Sequence, residues 1–229
     1  MSDILLSAKG VTKVFARKAK DVRVLNNANL EIASNDRIAI VGKSGAGKST
    51  LLHILGTLEE PTEGKVYFKG KDIFAYKEVE LSQFRNKEIG FVFQFHYLML
   101  EFTALENVMM PALLAGESQS QAKKRARDFL DRVGLSERED HKPGQLSGGE
   151  QQRVAIARSL MMRPKILLTD EMTGNLDPVT GAQIFDLIRS LHLEMGLALV
   201  SVTHDELLAA TFDKIYKLEA GELKSVNLH

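Results

Sequence analysis

The sequence predicts an α/β fold on a mainly parallel sheet, with a β-rich N-terminal part and a helical insertion. Three observations predict it. The apolar run Arg37–Val41 leads straight into a glycine-rich turn, Gly42-Lys43-Ser44-Gly45-Ala46-Gly47-Lys48-Ser49, which opens a helical pattern. The last third alternates apolar runs with a long amphipathic stretch, as parallel strands joined by helical crossovers do. The middle third changes character, with a helix-start signal and a one-sided apolar face.

Taken in order, Val24–Ile32 and Arg37–Val41 are short apolar-rich strands. A helix is expected from Lys48 to about Leu58, stopped by Pro61 and Gly64. Lys65-Val66-Tyr67-Phe68 and Gly70-Lys71-Asp72-Ile73 form a hairpin pattern, and Ile89–Phe93 is a buried strand that delivers Gln94 at its end. Thr103-Ala104-Leu105-Glu106 is a capping box opening a helix towards Leu114. From Gln121 to Val133, the residues Ala122, Ala126, Phe129, Leu130 and Val133 share one helical face, and Gly134 is its stop. Lys123, Lys124, Arg127, Asp128 and Asp131 lie opposite, as a solvated face. Strand Lys165–Thr169, helix Thr180–Met195, strand Leu197–Val202 and a strand pair around Ala220-Gly221 complete the chain.

Composition narrows the function. At 229 residues the chain can bury a real core, and it reads as one domain over residues 1–229 with a helical subdomain at about 96–160. Thirty basic and thirty acidic residues cancel, so bulk charge does not point to nucleic acid. There is no cysteine, which excludes disulfides and thiol chemistry and fits a reducing compartment. Asp3 and Lys9 break the pattern of a secretory signal. The longest apolar runs, such as Leu197–Val202, fall far short of the roughly 20 residues that cross a bilayer.

The chemistry-bearing motifs sit at the ends of predicted strands. The Gly42–Ser49 pattern lets backbone N–H groups turn inward around phosphate oxygens, helped by the positive start of the next helix. Lys48 reaches the β- and γ-phosphates and the Ser49 hydroxyl ligates Mg²⁺ in such loops. Asp170 and Glu171 end the apolar run Ile166-Leu167-Leu168-Thr169, where ligands of open α/β sheets bind. Asp170 there holds the Mg²⁺ shell and Glu171 orients or deprotonates an attacking water; a solvated acidic loop is the bland alternative. Ser147-Gly148-Gly149-Glu150 is a helix-capping box in its own right. Yet paired glycines form helices poorly and serve where a phosphate approaches the backbone, so both readings stand together.

The phosphate loop, Leu146–Gln151, Ile166–Glu171 and His204, in this order, resemble the ATP-binding subunit of an ABC transporter, from about residue 4 to residue 226. The resemblance implies a P-loop ATPase core that uses ATP and Mg²⁺. It makes Gln94 the glutamine that contacts Mg²⁺ or the water and senses a membrane partner. It places Ser147, Gly148 and Gly149 against the γ-phosphate of ATP bound by a second copy, so that hydrolysis needs a dimer. Gly174-Asn175-Leu176-Asp177 resembles the loop near the dimer axis, and His204 the switch histidine on the γ-phosphate. Thr50 joins the phosphate-loop set. Phe15 resembles the aromatic that stacks on adenine, an ordinary strand residue being its competitor.

Phe93-Gln94-Phe95-His96-Tyr97-Leu98, followed by Glu101-Phe102-Thr103-Ala104-Leu105-Glu106-Asn107-Val108, resembles the lipoprotein-releasing, LolD-type ATPases. Asp170–Asp177 fits the wider group, which includes MacB-type exporters and FtsE-type cell-division ATPases. The resemblance implies a peripheral subunit on the cytoplasmic face of the bacterial inner membrane, bound to LolC/LolE-like membrane subunits. Phe95, Tyr97, Leu98, Met99 and Leu100 would then form the docking socket, helical-core packing being the alternative. A nucleic-acid ABC machine would carry long coiled coils or two cassettes, and only about a hundred residues separate the two glycine-rich motifs, without sustained heptads. A GTPase would carry an Asn-Lys-x-Asp segment, which is absent. Two departures from the family stand out: Met172 where proline follows the acidic pair, and Asn35-Asp36 in place of Gly-Glu.

Overall fold

The computed structural model describes residues 4–16 and 21–226, so the acidic start read at Asp3 lies outside it. β1 (Ile4–Phe15) and β2 (Val22–Ala33) pair antiparallel. In β2, buried Ala28, Leu30 and Ile32 alternate with exposed Asn29 and Glu31, so one strand face supplies core. β3 (Arg37–Val41) is buried along almost its whole length, as a central parallel strand is. α1 (Lys48–Leu55) buries Leu51, Leu52, Ile54 and Leu55 completely, each contributing about 1.5–3 kcal/mol of hydrophobic stabilisation. β4 (Glu63–Phe68), β5 (Lys71–Asp72) and α2 (Glu78–Glu88) follow.

β6 (Ile89–Val92) then leads to three helices: α3 (Ala104–Leu114), α4 (Gln119–Arg132) and α5 (Gly148–Leu160). After them come β7 (Ile166–Asp170), α6 (Pro178–Met195), β8 (Ala198–Val202), the single-turn α7 (Glu206–Ala209), and the hairpin β9 (Lys214–Glu219) and β10 (Glu222–Val226).

The chain forms two compact units, and it passes from one to the other between Asp170 and Glu171. The first unit ends its opening run at Arg85 and regains Leu168–Asp170 and the chain from Leu197 onward. It holds an antiparallel sheet in the order β2-β1-β4-β5, and a second sheet running β10-β9-β3-β8 and on to the last residues of β7. β3 lies parallel to both β8 and β9. The second unit, Asn86–Leu167 with Glu171–Gly196, packs α3, α4, α5 and α6 with β6 and the first residues of β7. The stretch 96–160 falls inside it.

The α/β class with a mainly parallel sheet is therefore found as expected, and the departures are local. α1 stops at Leu55 rather than near Leu58, because Gly56 caps it and Thr57 turns to φ 61°. α2 gives no apolar period, since Phe84 is its single buried residue. α4 and α6 each begin two residues before the sequence expectation, at the side-chain caps Ser118 and Asp177. Asn35 has φ 63°, the left-handed region in which asparagine is tolerated better than most residues. Asp36 closes the same turn by accepting from the Ala33 N–H at 2.7 Å, which is how Asn-Asp serves where the family has Gly-Glu.

Candidate functional site

In the first unit, β3 ends at Val41 and the chain turns through Gly42–Gly47 into α1. Lys43, Ser44 and Gly45 are the exposed tip, while Gly42 and Ala46 are half-buried. Gly47 is the N-cap of α1 at φ 101°, and no side chain caps its N–H groups. A Cβ on Gly47 would lie 2.7 Å from Val24 Cγ1 and 2.9 Å from the Val24 carbonyl, so only glycine fits. The first-turn N–H groups of α1 are thus left for an anion. Lys48 is buried and its Nζ donates to the carbonyls of Gly42 at 2.9 Å and Lys43 at 3.2 Å, which folds the ammonium over the loop. Ser49 is exposed and Thr50 half-buried behind it.

Register brings two more expected residues to this strand end. Ile40 of β3 pairs with Val202 of β8, and the Thr203 N–H donates to the Ile40 carbonyl at 3.2 Å, so His204 emerges beside the start of the phosphate loop. Thr169 Oγ1 and Ser201 Oγ bond at 2.9 Å in the core, each one residue before its strand's last, which places Asp170 at the same end. Among the described residues no cluster of three or more His, Cys, Asp or Glu is arranged for a metal ion. Ser49 and Asp170 instead offer oxygen donors, the kind Mg²⁺ takes one or two at a time while keeping phosphates and water. Phe15 ends β1 with its ring half-exposed and the Lys13 ammonium 5.0 Å from its centroid.

In the second unit, Gln94 and Asn175 bond reciprocally across 81 residues of sequence. Asn175 Nδ2 donates to the Gln94 carbonyl at 3.2 Å, and Gln94 Nε2 donates to Asn175 Oδ1 at 3.1 Å. The first bond fixes the Asn175 amide and hence that of Gln94, whose Oε1 is left as an acceptor. Ser147 caps α5: its Oγ accepts from the Glu150 N–H at 3.3 Å, and Glu150 accepts from the Ser147 N–H at 2.8 Å. That backbone bond is the first cause holding the Glu150 carboxyl below its ordinary range. A Cβ on Gly149 would meet Thr180 Cγ2 at 2.6 Å, whereas one on Gly148 would find only Leu176 Cδ2 at 3.6 Å. Packing within the chain thus explains the second glycine and not the first.

Glu171 has φ 43°, and its carbonyl accepts from the Gly174 N–H at 2.9 Å. Met172 is buried, so an apolar anchor and this turn hold the segment where a proline ring is usual. Asp177 caps α6 through Val179 and Thr180, and its bonding to Thr180 lowers its pKa.

A family model described as "ABC transporter" matches residues 25–174. The chain belongs to the ABC transporter family. It is an ABC ATPase. A lipoprotein-releasing system ATP-binding protein LolD from Myxococcus xanthus (strain DK1622) is 48% identical over 219 residues, covering 96% of this chain and 98% of that protein. The LolD of Geobacter metallireducens is 52% identical over 219 residues, covering 96% and 97%. Among solved structures, a dimeric post-hydrolysis state of the ATP-binding cassette MJ0796 bound to ADP and Pi superposes with a TM-score of 0.90 at 40% identity. It covers 98% of this chain and 99% of that one.

Other parts of this ABC ATPase were not legible from its motifs. After Gln94 the chain exposes Phe95, Tyr97, Met99, Leu100 and Phe102, but Leu98 is buried. Leu98 therefore belongs to the core and is withdrawn from the expected docking socket. Asn107 holds this segment from α3. It is buried, accepts from the Met99 N–H at 2.8 Å, and donates to the carbonyls of Met99, Phe102 and Thr103 at 3.0–3.2 Å. Arg158 of α5 donates to the Tyr97 and His96 carbonyls at 2.7 and 2.8 Å. Burial, reinforced by the Arg158 charge and opposed by a hydrogen bond with Gln151, lowers the His96 pKa. The sequence signal for Asn107 was its polarity within an otherwise apolar helix face.

Proposed function

We propose that this ABC ATPase is the energy-supplying subunit of a bacterial lipoprotein-releasing transporter, a peripheral subunit on the cytoplasmic face of the inner membrane bound to LolC/LolE-like integral subunits. The carrying observation is its likeness to LolD relatives at 48% and 52% identity over nearly the full length of each. No helix among the described residues is long and apolar enough to cross a membrane, so on this reading other chains span it. The exposed segment around Tyr97 and Leu100 supports a docking role, since clustered apolar side chains at a surface mark partner sites.

The chemistry is in-line attack of water on the ATP γ-phosphate. Phe15 stacks on adenine, the backbone N–H groups from Gly42 to Ser49 and Thr50 hold the phosphates, and Lys48 neutralises their charge. Ser49 and Asp170 would hold Mg²⁺, with Gln94 Oε1 as a further oxygen donor; bound there, the ion would neutralise charge on the phosphate oxygens. Glu171 takes the proton of the attacking water and His204 bonds the γ-phosphate. Ser147, Gly148 and Gly149 face the ATP of a second copy; the room beside Gly148 and the dimeric state of the MJ0796 cassette support that arrangement.

Tagged chain purified from detergent-solubilised membranes should bring two kinds of integral membrane protein with it. Vesicles carrying that complex should release lipoprotein on addition of Mg-ATP. Purification without membrane proteins, or an ATP-independent release, would overturn the reading.

A further inference from the structure

Lys13 is bound on three sides by groups that have no part in phosphate chemistry. Its Nζ lies 5.0 Å from the centroid of the Phe15 ring, bonds the Glu59 carboxylate, and donates to the Glu60 carbonyl at 2.7 Å. The side chain is only 12% exposed, so an ammonium is fixed where lysines are usually solvated. Glu59 belongs to the turn directly after α1, where its N–H and that of Leu58 donate to the His53 carbonyl. The same turn is stitched to β1 by Thr62, whose Oγ1 accepts from the Val14 N–H at 3.0 Å and whose N–H donates to the Thr12 carbonyl at 2.8 Å. Phe15 ends β1, with no later residue of that strand to hold its ring.

We infer that Lys13 is a positioning residue for nucleotide binding: its ammonium, held by Glu59 and Glu60, occupies one face of the Phe15 ring and presents the other to the base. This rests on the reading of Phe15 as the adenine-stacking residue and adds to it what sets the ring's orientation. A cation over an aromatic face is attracted by the ring's quadrupole and draws electron density towards itself. The opposite face becomes a better platform for an electron-rich purine, and the ring's rotamers are reduced before the ligand arrives. Lys13 touches no phosphate in this scheme, so it should affect only ligands that carry a base.

The test compares ATP with inorganic tripolyphosphate, which has the phosphates and no base, in calorimetric titrations of the full chain. Lys13→Met should weaken ATP about fivefold, a size typical of one cation–π contact, and leave tripolyphosphate unchanged. Lys13→Arg should restore most of the loss, because a guanidinium also pairs with Glu59 and stacks on the ring. In a Phe15→Ala background, Lys13→Met should have no further effect. Unchanged ATP affinity in Lys13→Met overturns the proposal, and so does an equal loss for both ligands, which would mean the phosphate loop itself was deformed. Phe15→Ala that binds ATP normally would refute the stacking reading, and the proposal with it. Should Lys13→Met not fold, Glu59→Gln removes the carboxylate that fixes the ammonium, and unchanged ATP affinity there overturns the proposal equally.

Discussion

Glu171 adopts φ 43° without being glycine, and holding such a conformation costs of order 1 kcal/mol that the neighbouring structure must offset. The buried Met172 and the Gly174 N–H bond supply that support. These contacts hold the Glu171 backbone, and on the proposed reading its carboxylate takes the proton of the attacking water. Glu171→Gln keeps the size and loses the base, so Mg-ATP binding should persist while turnover falls at least about 100-fold. Steady-state ATPase beside nucleotide affinity checks this, and near-normal turnover would remove Glu171 from the role. The two signature glycines offer a second contrast. Gly149→Ala drives a methyl to 2.6 Å from the branched Thr180 and should lower the melting temperature. Gly148→Ala meets nothing closer than 3.6 Å and should leave stability within about 0.5 kcal/mol, yet reduce hydrolysis if a phosphate approaches that backbone. Unimpaired hydrolysis in Gly148→Ala would leave Ser147 and its neighbours as a helix cap alone.

At the scale of elements, helix starts marked by a full capping box were legible, whereas the starts of α4 and α6, capped by Ser118 and Asp177 without that box, were each read two residues late. Thr103 and Ser147 announce α3 and α5 because a hydroxyl and a carboxylate three residues apart can satisfy each other's N–H groups, and both boxes are formed. Gly56 marks the stop of α1, but the expectation took the later Pro61 and Gly64 for it, and α2 buries a single phenylalanine, which leaves no apolar period to read. The α5 box carries a pH dependence of known sign. The folded pKa of Glu150 is depressed, so its support of the helix is complete above the unfolded carboxylate value of about 4.3 and is lost as pH falls through the folded value. Glu150→Gln should therefore differ from the parent at pH 7 and approach it, in urea unfolding, as the pH falls below the unfolded value and through the folded one. A gap that stays constant with pH would mean the charge is irrelevant. Asn107 shows what motif reading misses. Asn107→Leu keeps the volume but strands Met99 N–H and nearby carbonyls, and should cost at least about 2 kcal/mol. Hydrogen exchange should then quicken at residues 98–103, and unchanged protection would show that Asn107 does not hold that loop.

Across the whole molecule, the sequence marked candidate site residues wherever a contiguous run lies at a strand end. Pairings between distant parts of the chain were not legible, because no local pattern records that Gln94 and Asn175 meet across 81 positions. Apolar residues after Gln94 are the sharpest case, since exposure and core look alike in sequence: Leu98 is buried, while Tyr97 and Leu100 are 66% and 71% exposed. That difference chooses the substitutions for testing membrane docking. Tyr97 has φ 47°, so Tyr97→Asn removes the ring and suits the backbone, and Leu100→Gln removes the second apolar group. Neither residue belongs to a phosphate-binding motif, so ATP affinity of the isolated subunit should be unchanged. As surface changes they should shift stability by no more than about 0.5 kcal/mol each. Association with membrane subunits should weaken through faster dissociation, because buried apolar contacts of an interface act mainly on that rate. The measurement is co-purification yield against the melting temperature of the free subunit. Loss of yield at constant melting temperature places the partner on this segment; a fall in melting temperature makes Tyr97 and Leu100 part of the core, as Leu98 is, and ends the docking assignment.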